Sequence, residues 1–186
     1  MINERSRIII LNGVGSAGKS SIARALQAMT VRPFLHVEMD AFLAMLPPSM
    51  LGHPDGIVFD AVRQDGSPMV IIRTGEVARR AFRGMRHAIA AMAAQGNNMI
   101  VDEVMLSDQM AEYAALLAPF DLRVVGVFAP LEVLEARERQ RGDRMPGLAR
   151  WQYDRVHARM RYDLGIDTST ATAEESAVRI KQVFAL

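Results

Sequence analysis

Cysteine is absent from the 186-residue sequence. That gap removes disulfides, zinc–thiolate centres and thiol nucleophiles from consideration, and it suits a reducing, cytoplasmic setting. Lysine is nearly absent as well: Lys19 and Lys181 stand alone, so arginine supplies almost all the positive charge. No excess of one charge sign exists; the formal balance is +1, which gives no broad field to gather nucleic acid or an anionic membrane surface. Aromatic residues make up 6%, with Trp151 the single tryptophan, too sparse for the stacking platforms of a nucleic-acid face. No apolar run approaches the ~20 residues that span a bilayer. Met1–Arg5 leads straight into a four-residue apolar run, too short for a signal-peptide core. Neither membrane nor nucleic acid is therefore expected as a partner. What remains is an ordinary globular composition, 50% hydrophobic and 23% charged, long enough for one α/β domain with a substantial core.

Against that background one motif stands out. Gly13-Val14-Gly15-Ser16-Ala17-Gly18-Lys19-Ser20 fits the P-loop pattern G-x-x-x-x-G-K-[ST] at every fixed position, and it holds one of the two lysines. The context is right: Ile8–Leu11 before it reads as a buried strand, and Ser21–Leu26 after it reads as a helix with Ile22, Ala25 and Leu26 on one face. Strand, glycine loop and helix make a phosphate cradle, in which backbone N–H groups from Gly13 to Ser21 turn inward on the anion and the helix N-terminus adds its dipole. In such a cradle Lys19 reaches the β- and γ-phosphates of ATP and the Ser20 hydroxyl ligates Mg²⁺.

The rest of the chain alternates strand and helix, which predicts a parallel sheet covered on both faces. Strands are expected near 7–12, 34–37, 99–101, 122–128 and 164–168. Helices are expected near 19–29, 40–45, 73–95, 108–118, 131–140, 148–161 and 173–184. Residues 47–68 are rich in Pro, Gly and Asp and predict a hairpin of 57–59 with 69–71, turning at Gln64–Ser67. Along 73–95 the apolar stripe is Val77, Ala81, Met85, Ala88 and Met92. The pattern is that of a three-layer P-loop NTPase fold, like that of nucleoside monophosphate kinases. It has five parallel core strands and an arginine-rich helical lid, in one domain over 1–186.

Ligands of an open parallel sheet bind beyond the carboxyl ends of its strands. Asp40 follows the second strand there, and Asp102 and Glu103 follow the third. Asp102 is the candidate for holding Mg²⁺ or its waters; either acid could be the nearer one, and a helix cap or solvated turn is the plainer alternative. Asp40 is placed to deprotonate an acceptor hydroxyl, or to cap the short helix after it. Phe42, Leu43, Met45, Leu46, Met50 and Leu51 either line an acceptor pocket, drawn at about 40–72, or form a satellite core. Arg137, Arg139, Arg141 and Arg144 mark a lid at about 137–147, with Glu135 and Glu138 as possible partners on a solvated face. The four histidines show no ligand spacing.

Taken together, these residues resemble the chloramphenicol phosphotransferase family, small P-loop kinases that phosphorylate a hydroxyl of the antibiotic. The resemblance runs through Ile8–Gly13 with Ser16–Ser20, Val37–Asp40, Gly56–Asp60, Ile100–Val104, Arg141–Arg144 and Tyr162–Thr168. It implies that Asp40 is the base, that Lys19 and Ser20 serve ATP and Mg²⁺, and that Arg137, Arg141 and Arg144 belong to the nucleotide lid. It implies a small-molecule hydroxyl acceptor like chloramphenicol. The chain departs from the family's pattern at Ala41, beside the base, where the family carries a hydroxyl residue. It departs again at Glu103, which replaces an acid one carbon shorter. The alternatives are a metabolic kinase of a sugar acid, a shikimate-like alcohol or a nucleoside monophosphate, for which Arg63, Arg73, Arg79 and Arg80 are available, or an ATP-binding regulator without turnover.

Overall fold

A computed structural model describes residues 5–106, 109–142 and 145–186. The apolar run after Ser6 forms β1 (Arg7–Gly13), whose residues Ile8 to Leu11 are fully buried. Side chains alternate along a strand, so Ile8 and Ile10 enter one core and Ile9 and Leu11 another. Each of these side chains contributes about 1.5–3 kcal/mol by its burial. Burial on both faces is what a parallel central strand requires. The partners of β1 are β5 (Asn98–Glu103) and β6 (Asp121–Phe128). β2 (Phe34–Glu38) and β7 (Leu164–Asp167) close the edges, giving five parallel strands in the order β2-β5-β1-β6-β7.

Helices cover both faces. α1 (Lys19–Met29) and α7 (Ala173–Phe184) pack through Ile22, Leu26, Ala177 and Ile180 on the face of Ile9. α3 (Glu76–Ala94) and α4 (Gln109–Leu117) pack through Met85, Ile89, Tyr113 and Leu117 on the face of Ile8. α5 (Leu131–Arg141) and α6 (Leu148–Val156) extend the first layer through Leu134, Ala149 and Val156. The short α2 (Met39–Leu43) leaves the end of β2. The hairpin stands apart as an antiparallel pair, β3 (Ile57–Gln64) with β4 (Ser67–Thr74). Its two-residue turn is Asp65-Gly66, both at positive φ (51° and 78°), as a twisted hairpin demands.

Three expectations shift. The hairpin is longer than its apolar segments suggested: Ile57 pairs with Thr74, so β4 takes Arg73 and Thr74 and α3 starts at Glu76. The buried line of α3 is Ala78, Met85, Ile89 and Ala93, while Val77, Ala81 and Phe82 pack against the hairpin cluster of Leu46 and Ile57. α6 ends at Val156 rather than 161, because His157 stacks on Phe128 at 4.2 Å and the chain turns back, with Arg159 at φ 60°. Among the apolar residues after Asp40, Leu43, Leu46 and Met50 join the hairpin cluster, whereas Met45 and Leu51 are exposed.

Candidate active site

The loop after β1 has the shape its sequence predicts. Gly13 passes so close to β6 that a Cβ there would lie 2.5 Å from the Val127 carbonyl oxygen. Gly18 precedes α1 at φ 91°, a conformation that favours glycine. No side chain caps α1, and no acid sits in its first turn, so its leading N–H groups are left for an anion. The loop is buttressed from behind. Thr168 Oγ1 donates to the Ala17 carbonyl at 2.9 Å, and Gln152 Oε1 accepts from Gly15 N at 2.7 Å. The Tyr162–Thr168 segment thereby acquires a physical role: Asp163 Oδ2 accepts from Val124 N at 2.8 Å and seats β7 on β6, and the residue just after the strand is the threonine that holds the loop.

Lys19 is buried. Its Nζ donates to the carbonyls of Gly13 (3.0 Å) and Val14 (3.1 Å) and lies 3.6 Å from Asp102 Oδ1. The Ser20 hydroxyl donates to Asp102 Oδ2 at 2.5 Å. Strand alternation sends the two acids at the end of β5 to opposite sides. Asp102 faces the loop, whereas Glu103 turns to the other side and accepts from the Tyr113 hydroxyl at 2.7 Å. Burial pushes the Glu103 carboxyl up, against the pull of the Tyr113 bond and of Arg86 nearby. Hydroxyl and carboxylate at Ser20 and Asp102 form an all-oxygen donor pair that fits Mg²⁺.

Beside this pair lies a group that spacing did not reveal. His36 and Glu38 alternate onto one side of β2, and Glu38 is in register with Asp102 on β5. His36 Nε2 comes within 3.7 Å of Glu38 Oε1 and 4.0 Å of Asp102 Oδ2. It is buried and has no hydrogen-bond partner among the described residues. Burial lowers the imidazole's pKa despite the two carboxylates. The signal in the sequence was the His-x-Glu alternation on a strand adjoining Asp102. A second histidine, His157, is held at about 4 by burial and by Lys19, and is neutral. Tyr162 bridges His157 Nδ1 (2.7 Å) and Asn12 Nδ2 (2.8 Å), which ties the end of α6 to β1.

These groups open on a cavity of about 940 Å³. Gly15, Ser16, Gly18, Lys19, Ser20, Ser21 and Asp102 line one end. Glu38, Asp40 and Leu43 from β2 and α2, Ile57, Phe59 and Ile72 from the hairpin, and Phe82 with several arginines of α3 line the rest. Asp40 is not the cap of α2, since Glu38 occupies that position; it sits in the first turn and faces the cavity.

Of the arginines expected in a lid, Arg137 donates to Thr168 Oγ1 (3.0 Å) and to its carbonyl (2.7 Å). It lines a smaller cleft beside the loop with Ser16, Gly18 and Ser21; Arg141 borders both cavities. Arg144 lies outside the described residues. Glu138 is not a partner on a solvated face. It is buried, and its carboxylate accepts from Gly147 N (2.7 Å) and Ala149 N (2.8 Å), clamping α5 to the start of α6. Glu138→Ala strands both N–H groups and is expected to lower stability by about 1–3 kcal/mol, read as a fall in Tm on thermal denaturation.

A sequence model of the family described as chloramphenicol phosphotransferase-like protein matches residues 6–185. The chain belongs to that family. A Mycobacterium tuberculosis protein of strain H37Rv, named "Putative O-phosphotransferase", is 30% identical over 184 residues, covering 96% of this chain and 82% of its own length. Solved structures share the fold. APS kinase of Mycobacterium tuberculosis in complex with AMPPNP and APS aligns with a TM-score of 0.69 at 16% identity, over 98% of this chain and 99% of that one. An unliganded sugar kinase of Janibacter aligns at 0.67 and 19%, over 97% and 95%. Shikimate kinase of Acinetobacter baumannii with shikimate aligns at 0.61 and 15%, over 98% and 94%. The fold of this family member is thus the P-loop kinase fold, with its five parallel strands. No helix among the described residues is long and apolar enough to cross a membrane.

Proposed function

We propose that this chain is an ATP-dependent O-phosphotransferase that moves the γ-phosphoryl group of ATP to a hydroxyl of a small molecule. The observation that carries the reading is that Lys19, Ser20 and Asp102 share one cavity with Asp40. The family membership and the AMPPNP held by an APS kinase of the same fold support ATP as the donor.

In this reading the loop from Gly13 to Ser21 holds the triphosphate through the N–H groups not already given to Gln152 and Val14, and Lys19 exchanges the Gly13 and Val14 carbonyls for phosphate oxygens. Asp40 takes the proton of the acceptor hydroxyl as that oxygen bonds to the γ-phosphorus; the bond from phosphorus to the β–γ bridging oxygen breaks and ADP leaves. Ser20 and Asp102 would hold Mg²⁺, whose charge would offset that of the phosphates. Arg137 and Arg141 form the lid over the nucleotide, in a single kinase domain with its acceptor region at 40–72. The apolar wall of Leu43, Ile57, Phe59, Ile72 and Phe82 suits an acceptor with a hydrophobic part, as chloramphenicol has.

The test is incubation with ATP, Mg²⁺ and a panel of chloramphenicol, sugar acids, shikimate and nucleoside monophosphates, followed by mass spectrometry. The expected product is an acceptor carrying one added phosphoryl group. Tight nucleotide binding with no product across the panel counts against transfer and favours a nucleotide-binding regulator.

A further inference from the structure

The α3 wall of the cavity carries more positive charge than its neighbours neutralise. Arg79, Arg80, Arg83 and Arg86 all line it. At about 100° per residue they span roughly 120° of the helix, one face. Two acids answer four guanidinium groups. Glu76 takes Arg79 at 3.2 Å. Glu112 of α4 takes both Arg83 Nε at 3.2 Å and Arg86 Nε at 2.6 Å, with His87 Nε2 also 3.7 Å away. Glu103, buried near Arg86, accepts from the Tyr113 hydroxyl at 2.7 Å and makes no ion pair with these arginines among the described residues. Arg80 has no hydrogen-bond or ion-pair partner among the described residues, and Arg83 stands three residues on, its neighbour on the helix surface. The triphosphate end has cations of its own in Lys19 and Arg141.

A planar guanidinium presents paired N–H donors that match the paired oxygens of a carboxylate or phosphate. A neutral alcohol, chloramphenicol included, has no charge to answer this surplus. We propose that the acceptor is an anionic alcohol, its carboxylate or phosphate taken by Arg80 and Arg83 while its hydroxyl faces Asp40. This rests on the phosphotransferase reading of the same cavity and narrows its substrate class. Phe59, Ile72 and Phe82 then pack the carbon frame between the two polar ends.

The experiment separates recognition from transfer. Calorimetry on the protein saturated with AMPPNP compares matched pairs: gluconate against glucitol for the carboxylate, and glucose 6-phosphate against glucose for the phosphate. Chloramphenicol serves as a further neutral compound. The expected result is that at least one anion binds ten times or more tighter than its neutral partner. Arg80→Gln and Arg83→Gln each remove most of that preference, Arg80→Lys restores part of it, and AMPPNP affinity is unchanged. Which pair responds identifies the anion. Mass spectrometry on the same compounds with ATP reads transfer separately. Anion preference without transfer supports this assignment and sinks the phosphotransferase reading. Transfer with no preference in either pair, or with a preference that survives both substitutions, overturns the assignment and keeps the phosphotransferase. Loss of AMPPNP affinity in Arg80→Gln also overturns it, by giving α3 to the nucleotide, as does binding of no compound in either pair.

Discussion

Asp40→Asn is expected to lower kcat by about 10²–10⁴-fold while leaving AMPPNP affinity where it was. The substitution keeps the size and shape of the side chain, so α2 and the cavity wall stay in place, but an amide cannot accept the acceptor's proton. Nucleotide binding is spared because Asp40 lies on α2, outside the loop from Gly13 to Ser21. The split between kcat and KM carries the argument. A group used only as the proton moves lowers kcat and kcat/KM together, whereas one that merely grips the acceptor raises KM. Single-turnover transfer to any acceptor found in the panel reads the difference. A variant that turns over like the parent would remove Asp40 from the chemistry and leave Glu38, the other carboxylate at the end of β2, as the group to test.

Much of this site is written locally in the chain, and what is not written there depends on pairing. The loop was legible because its function requires fixed residues at fixed spacing, and the strand and helix around it carry their periods in eight or ten residues. Asp102 and Glu103 could not be told apart by sequence, since both end the same strand; alternation against β1 sends one to Ser20 and the other to Tyr113. The reach of β4 to Thr74 was hidden because its partner, Ile57, lies across the hairpin, and long-range pairing overrides the helical pattern that begins nearby. Glu138 reads as a surface acid from its arginine-rich surroundings, yet the backbone of Gly147 and Ala149 draws it inward. His36 shows no ligand spacing in the sequence for the related reason that its partners sit on its own strand and on the next one. The arginines of α3 were visible individually, but only the cavity shows that four of them share a wall with Asp40.

The largest effect on nucleotide binding is expected at Lys19. Its ammonium group is held by two loop carbonyls and by Asp102, so the cation is already in place for an incoming triphosphate. Lys19→Met keeps the length of the side chain and removes the charge. With nucleotide at 100 times Kd, binding stabilises the parent by about 2.7 kcal/mol; a hundredfold weaker Kd leaves about 0.4 kcal/mol at the same concentration. The Tm increment on adding AMPPNP should therefore nearly vanish, and transfer should fall by about 10²–10³-fold. The ligand-free protein reports on a second consequence. Asp102 is buried and in Lys19→Met keeps the Ser20 bond but loses its nearest cation, so the variant's own Tm should fall. Adding Asp102→Asn should recover part of that loss, because the carboxylate left without its cation is then gone. Recovery of stability without recovery of the AMPPNP increment separates the two roles of the lysine. An undiminished increment in Lys19→Met would show that the loop does not grip phosphate through this residue, and the assignment of the cavity's loop end to the triphosphate would fall with it.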